Sequence, residues 1–284
     1  MNHRLTAAFL AVALLVPSLA HATWSVIAVD LETRRIVIAS ATCVNNNDTF
    51  LPGVQAVVVP GIGVAACQAS VDSTDTNQML VFNELKKGTA PADIIKLLSV
   101  DPQFQSRQFG ILDLKGRSAG HSGLTNGYVS QDIQGRVPGT SIYYSIQGNI
   151  LRPGEVVPNA VKAFIETKGA ITDRVMAAME AADAGGGDSR CSCPPPAAGT
   201  TPANPCTAKT AHVAYILMSE PGDTNGKSHN DGTYKMFIKV AQPNVAGAAD
   251  RGPGAMKPGE DLNPVKTLRA RYDVWRAAQP KSFK

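Results

Sequence analysis

The chain has little charge for its length, and charge of one sign gathers nowhere along it. Lys and Arg number 27 against 23 Asp and Glu, a formal net charge of +4, with no run of basic residues. Nucleic acid is therefore excluded as the main partner, because backbone recognition needs a basic stripe or patch. Cysteine is scarce, and the five present form no Cys-x-x-Cys motif. His212 and His229 lack ligand-like spacing, so neither a metal site nor a cofactor is expected. No internal repeat of solenoid length occurs. Beyond residue 22 no apolar run reaches the ~20 residues needed to cross a bilayer, so no integral membrane segment is expected there. What remains is ordinary globular composition, 44% hydrophobic and 18% charged.

The first residues do contain the pattern of an export signal. Arg4 gives a positive start, Leu5–Val16 a short apolar run and Pro17 a break. Ala20-x-Ala22 supplies the small residues that a signal peptidase accepts. We expect residues 1–22 to be a bacterial-type signal peptide and residues 23–284 one exported domain, periplasmic or extracellular. The signal holds no cysteine, so no lipid anchor is expected. A cut after Ala22 would leave Thr23 with a free α-amino group, and such a residue carries a nucleophile and a base together. Export also favours disulfides among Cys43, Cys67, Cys191, Cys193 and Cys206, an odd count that leaves at least one thiol over.

Downstream, strands and helices come in blocks. Trp24–Asp30 and Arg35–Ala41 read as an apolar hairpin covered on both faces, so Thr23 starts a buried central strand. Ala56–Val59 and Gly63–Ala69 pair around Pro60-Gly61. Asp72 or Ser73 caps a helix to Lys87, with Met79, Leu80, Phe82 and Leu85 on its apolar side and Gly88 ending it. Thr89 caps a second helix, Pro91–Val100. Strands follow at Arg107–Leu112, Arg117–His121, Ile133–Val137 and Tyr143–Gln147, then helices at Glu155–Lys168 and Ile171–Ala184. Residues 189–208 form a Cys/Pro-rich insertion, for which a disulfide is favoured over a metal lacking its fourth ligand. Ala211–Ser219 and Tyr234–Val240 are late strands. A helix at about 264–278 carries Val265, Leu268, Tyr272 and Trp275 as one stripe. Blocks rather than strict βαβ alternation predict a layered α+β fold.

Several short motifs, in this order, resemble one family. They are Thr23-Trp24-Ser25-Val26-Ile27-Ala28, Gly61-Ile62-Gly63-Val64-Ala65-Ala66-Cys67-Gln68-Ala69, and Asp101-Pro102 with Arg107-Gln108. Gly120-His121-Ser122-Gly123, Ile146-Gln147-Gly148-Asn149-Ile150-Leu151 and Gly186-Gly187-Asp188 complete the set. Together they resemble domain-of-unknown-function family 1028, which is grouped with the N-terminal nucleophile (Ntn) hydrolases. The likeness covers about residues 23–190, and more loosely Ala211–Ser219 and the last helix. Cys67 stands where the family often has Thr, and 189–208 replaces a short link. The resemblance implies a four-layer αββα sandwich and hydrolysis of an amide or related acyl bond by an N-terminal threonine. A small-molecule or peptide-like substrate would follow.

Within that reading Thr23 is the candidate nucleophile and Asn149 the candidate oxyanion donor, unless Asn149 merely serves a turn. Ser25 shares the face of Thr23, where it orients the amine or simply packs. Ser40 lies across the hairpin. Gln68 and Gln147 end apolar strands, where they bind substrate or satisfy backbone groups. His121 is a binding candidate or a structural histidine. Cys43 and Cys67 either pair or remain small buried hydrophobes. Two other readings stand beside the hydrolase: an exported binding or surface-associated protein that keeps the fold without catalysis, and thiol chemistry at Cys67 or the Cys191/Cys193 pair. The sequence leaves self-association open.

Overall fold

A computed structural model describes residues 23–191, 209–243 and 251–283. Its first element is the expected hairpin, β1 (Thr23–Asp30) and β2 (Arg35–Thr42). The Asp30 carboxylate shapes the turn by accepting from the Glu32 amide, the Thr33 hydroxyl and the Ser141 hydroxyl. Burial opposes its ionisation, but those hydrogen bonds outweigh burial and hold its pKa below the ordinary value. Next come α1 (Phe50–Gln55), β3 (Ala56–Val59), β4 (Gly63–Ala69), α2 (Thr76–Lys87) and α3 (Pro91–Leu98). Four strands follow: β5 (Arg107–Asp113), β6 (Ser118–Ser122), β7 (Gln131–Arg136) and β8 (Ile142–Asn149). The chain continues through α4 (Val156–Glu166), α5 (Ile171–Ala184), β9 (Val213–Ser219), β10 (Met236–Ala241) and α6 (Pro264–Ala277).

The strands form two antiparallel sheets, ordered β10-β9-β2-β1-β8-β7 and β3-β4-β5-β6. The period-2 alternation of β1 sorts its side chains between two cores. Trp24, Val26 and Ala28 join a cluster with residues of α4, α5 and α6, whereas Ile27 and Val29 meet Val64, Ala66 and Leu112 of the second sheet. The outer face of that second sheet, including Ala65, Cys67, Phe109 and Ile111, packs on Val81, Phe82 and Leu85 of α2 and Ile94 and Leu98 of α3. The order is therefore helices, sheet, sheet, helices, an α+β architecture with six α-helices among the described residues. All eight residues of β1 are buried, as expected of a strand covered on both faces.

Several local expectations change. Helix α1 went unseen because Pro52 and Gly53 are poor helix formers and it is only six residues long. Helix α2 starts at Thr76 after Asp75, and it buries Val81 rather than Met79 or Leu80. Asp72 still serves its start by accepting from the Thr74 and Asn77 amides. Thr89 donates to Glu84 instead of capping α3, which ends at Leu98. Cysteine pairing is the main correction. Cys43 bonds to Cys191, with Cα atoms 5.6 Å apart, so it does not pair with Cys67. Cys67 is a buried free thiol on the face of β4 turned toward α2 and α3. Cys193 and Cys206 lie outside the described residues, as does the expected signal peptide at 1–22.

Candidate active site

One end of the sandwich gathers the start of β1, the ends of β2, β4, β6 and β8, and the start of β5. Thr23 sits there between two cross-strand neighbours, Thr42 of β2 and Asn149 of β8. It is 2% exposed. Its Oγ1 donates to Thr42 Oγ1 at 3.3 Å, and Thr42 Oγ1 also accepts from the Val44 amide at 3.2 Å. Asn149 Nδ2 donates to the Asn126 carbonyl at 3.1 Å, which ties β8 to the 123–130 loop. Asn126 Nδ2 in turn donates to the Arg107 carbonyl at 3.1 Å. The buried Asn126 Oδ1 has no partner among the described residues. Two β-branched residues beside this loop take left-handed backbone conformations, Val129 at φ 46° and Ile150 at φ 50°. Each costs about 1–3 kcal/mol, the kind of strain that collects at functional sites.

Behind Thr23, between the sheets, lies a buried network of neutral side chains. Gln68 is its hub. Gln68 Oε1 accepts from Ser25 Oγ and from Gln55 Nε2, both at 2.7 Å. Gln68 Nε2 donates to Gln108 Oε1 at 2.7 Å and to the Thr23 carbonyl at 3.2 Å. Gln55 Oε1 accepts from the Tyr215 hydroxyl, whose pKa burial raises well above the ordinary value, keeping it a donor. Gln108 Nε2 turns to the Ser122 hydroxyl and to the Gly148 and Gln131 carbonyls. Ser25 Oγ accepts from Gln147 Nε2 at 2.6 Å. These long amides fit between the sheets because the opposing strand offers Gly110, where an added Cβ would lie 2.3 Å from Gln147 Oε1.

The model of the family described as "Family of unknown function (DUF1028)" matches residues 23–198. The chain belongs to that family. Among solved structures, the crystal structure of protein SPO2555 from Silicibacter pomeroyi, itself assigned to DUF1028, aligns with a TM-score of 0.60. The match covers 92% of this chain and 91% of that one at 19% identity, a likeness of fold. No curated protein matches the chain.

In this DUF1028 fold the candidate residues do not form a single cluster. Thr23 and Asn149 are adjacent across the sheet. Ser25, Gln68 and Gln147 come together, but with their polar atoms engaged on one another inside the sandwich. Ser40 donates to the Trp24 carbonyl at 2.6 Å and so clamps the hairpin one step behind Thr23. His121 stands apart: its Nε2 is 3.1 Å from the Phe104 carbonyl and its ring stacks on Phe104 at 3.7 Å. Burial pushes the Cys67 thiol pKa up, which disfavours the thiolate that thiol chemistry needs. The Cys43–Cys191 disulfide borders the site directly, since Cys43 follows Thr42. Its amide donates to the buried Asp188 carboxylate at 2.8 Å, and Asp188 also holds Arg190.

Thr42, Asn126, Gln55, Gln108 and Tyr215 were not singled out from sequence. Two carried a signal there: Gln108 through the Arg107-Gln108 motif, and Thr42 through the hairpin. A hairpin that pairs Asp30 with Arg35 must place Thr42 opposite Thr23. Among the described residues no group of three or more His, Cys, Asp and Glu could hold a metal ion, and no helix is long and apolar enough to cross a membrane.

Proposed function

We propose that the chain is an exported Ntn-type hydrolase whose mature form begins at Thr23 and cleaves an amide or related acyl bond. The observation that carries this reading is the position of Thr23: first residue of the central strand β1, flanked by Thr42 and Asn149. The family match beginning at residue 23 supports it, as does the layer order, which fits an αββα sandwich of the Ntn type. The Cys43–Cys191 disulfide is compatible with an oxidising compartment.

In this mechanism the Thr23 hydroxyl attacks the substrate carbonyl while its proton passes to the α-amino group, whose ordinary pKa is near 8. Asn149 donates to the developing oxyanion. The tetrahedral intermediate collapses as the protonated amine returns its proton to the leaving nitrogen, giving an ester on Thr23. Water then hydrolyses that ester, with the amine again as base. Asn126 Oδ1, without a partner among the described residues, suits the N–H of an amide substrate. The polar groups next to Thr23 are neutral, which favours an uncharged scissile group.

The test joins two measurements on exported protein. Its N-terminal sequence should start at Thr23, and a β-lactone electrophile should acylate Thr23. Thr23→Ala should remove labelling and lower any hydrolysis by about three orders of magnitude or more, while the thermal transition stays intact. A mature chain with another N-terminus would sink the mechanism. A second reading is a binding protein that keeps the fold without catalysis. Correctly processed protein that resists β-lactone would support it.

A further inference from the structure

We infer that Gln68 is a positioning residue for the candidate nucleophile, acting through the Thr23 carbonyl. The inference rests on the hydrolase reading above and adds to it a residue from the opposite sheet. Gln68 is the penultimate residue of β4, and the last, Ala69, adopts a left-handed conformation at φ 76°. The strand therefore turns away one residue after presenting the Gln68 side chain to β1. That side chain is 3% exposed, and both hydrogens and both lone pairs of its amide are in use.

The orientation of this amide is forced by the backbone carbonyls around it. The Thr23, Gly148 and Gln131 carbonyls can only accept, so Gln68 Nε2 must face Thr23 and Gln108 Nε2 must face Gly148 and Gln131. Gln108 Oε1 is then left to accept from Gln68. At the other end Gln68 Oε1 can only accept, so Gln55 Nε2 must face it, and the Tyr215 hydroxyl, able to donate or accept, donates to the Gln55 Oε1 that remains. The backbone carbonyls thus orient the whole chain of amides, and no glutamine of it can flip without setting two acceptors or two donors against each other. The result is a rigid bridge between the sheets that ends on the residue carrying the hydroxyl and the amine. Fixing the carbonyl of Thr23 fixes its peptide plane and thereby narrows the directions open to Oγ1. A nucleophile displaced by about 1 Å loses up to about 100-fold in rate. The bridge contains no ionisable group except Tyr215, so it holds Thr23 without titrating near neutral pH.

Two substitutions separate positioning from mere packing. Gln68→Met keeps the bulk and removes every hydrogen bond. Gln68→Glu keeps the shape and makes donation depend on protonation. Burial raises the pKa of the introduced carboxyl. Above it, a carboxylate faces the Thr23 carbonyl and Gln108 Oε1, both acceptors; below it, the carboxyl regains one O–H donor. Wild-type β-lactone labelling of Thr23 should rise with pH as the amine loses its proton. Gln68→Met should label about 10- to 100-fold more slowly at every pH. Gln68→Glu should give a bell that peaks at lower pH, a profile that a packing defect would not produce. The contact itself has a readout independent of activity. Thr23-Trp24 is the only Thr-Trp dipeptide in the chain, so 13C-carbonyl threonine with 15N tryptophan gives one cross-peak for the Thr23 carbonyl. Its carbonyl shift should move in Gln68→Met. An unmoved shift overturns the contact. Wild-type labelling rates in Gln68→Met, or a wild-type pH profile in Gln68→Glu, overturn the positioning role alone. A correctly processed wild type that never labels overturns the hydrolase reading and this role with it.

Discussion

Cys67 occupies a position of β4 whose neighbours on either side, Ala66 and Gln68, face the other sheet. Alternation therefore turns Cys67 the opposite way, toward α2 and α3, and removes it from both the site and the disulfide. It acts as a small core residue with a protonated thiol. Alkylation by iodoacetamide, mapped by mass spectrometry, should leave Cys67 unmodified in the native protein and modify it fully in denaturant. Cys67→Ala should cost about 1 kcal/mol and leave Thr23 labelling unchanged. Rapid native alkylation would contradict the placement. The face of Cys67 could be read from the alternation of β4. Its lack of a partner could not, because strand periodicity says nothing about which distant cysteine approaches. Gln68 and Gln147 show a related gap. Their inward faces follow from the pattern, but that they meet each other through Ser25, rather than a ligand, depends on the stacking of two sheets.

Among the elements, the hairpin was the easiest to read and the strap beside it the hardest. Turn residues fix the β1–β2 register, and the register sets Thr42 beside Thr23. By contrast, the strap at 186–191 approaches from 148 residues away through Cys43–Cys191, a separation that no local pattern encodes. Three features hold it. Gly187 lies against the Trp24 ring, where an added Cβ would come within 2.7 Å. Asp188 accepts from the Cys43 amide, and Ser189 hydrogen-bonds to the Tyr128 hydroxyl at 2.5 Å. The disulfide closes a long loop, so its loss should release unfolded-state entropy worth about 2–5 kcal/mol. Cys43→Ser should lower the unfolding free energy by that amount in urea. It should also loosen the end of β2, which hydrogen-exchange protection of Thr42 and Val44 would report. Unchanged stability would mean that the bridge does not form in the protein.

For the molecule as a whole, these ionisable groups predict a stability plateau with identifiable edges. Burial lowers the His212 pKa, only partly countered by its hydrogen bond with Gln242. A base with a depressed folded pKa favours folding above its unfolded value, near 6.5, and loses that contribution as pH falls through the folded value. Asp30, Asp72 and Asp101 are also held low: burial works against ionisation in each, and hydrogen bonds overcome it. Glu260 falls to about 2, chiefly through its hydrogen bond with Arg271 of α6. Their contributions are present above ordinary carboxylate values and disappear as pH drops from about 4.5 toward the folded values. Glu180 runs the other way, since burial raises its pKa, and it softens the acid edge. On the alkaline side burial raises Tyr215 and, to about 12, Tyr234. Their contribution is complete below the ordinary phenol value near 10 and is lost above it. The carboxylates anchor the β1–β2 turn, the start of α2, the lead into β5 and the connector to α6, so their loss acts on all layers at once. Calorimetric Tm should be flat between about pH 7 and 9, decline gently below about 6.5 and fall steeply below about 4.5. His212→Asn should remove the gentle step and leave the steep one. That plateau contains the pH near 8 at which a free Thr23 amine changes protonation, so a labelling transition there would be separable from unfolding. A Tm that rises between pH 7 and 5 would reverse the assigned sign for His212.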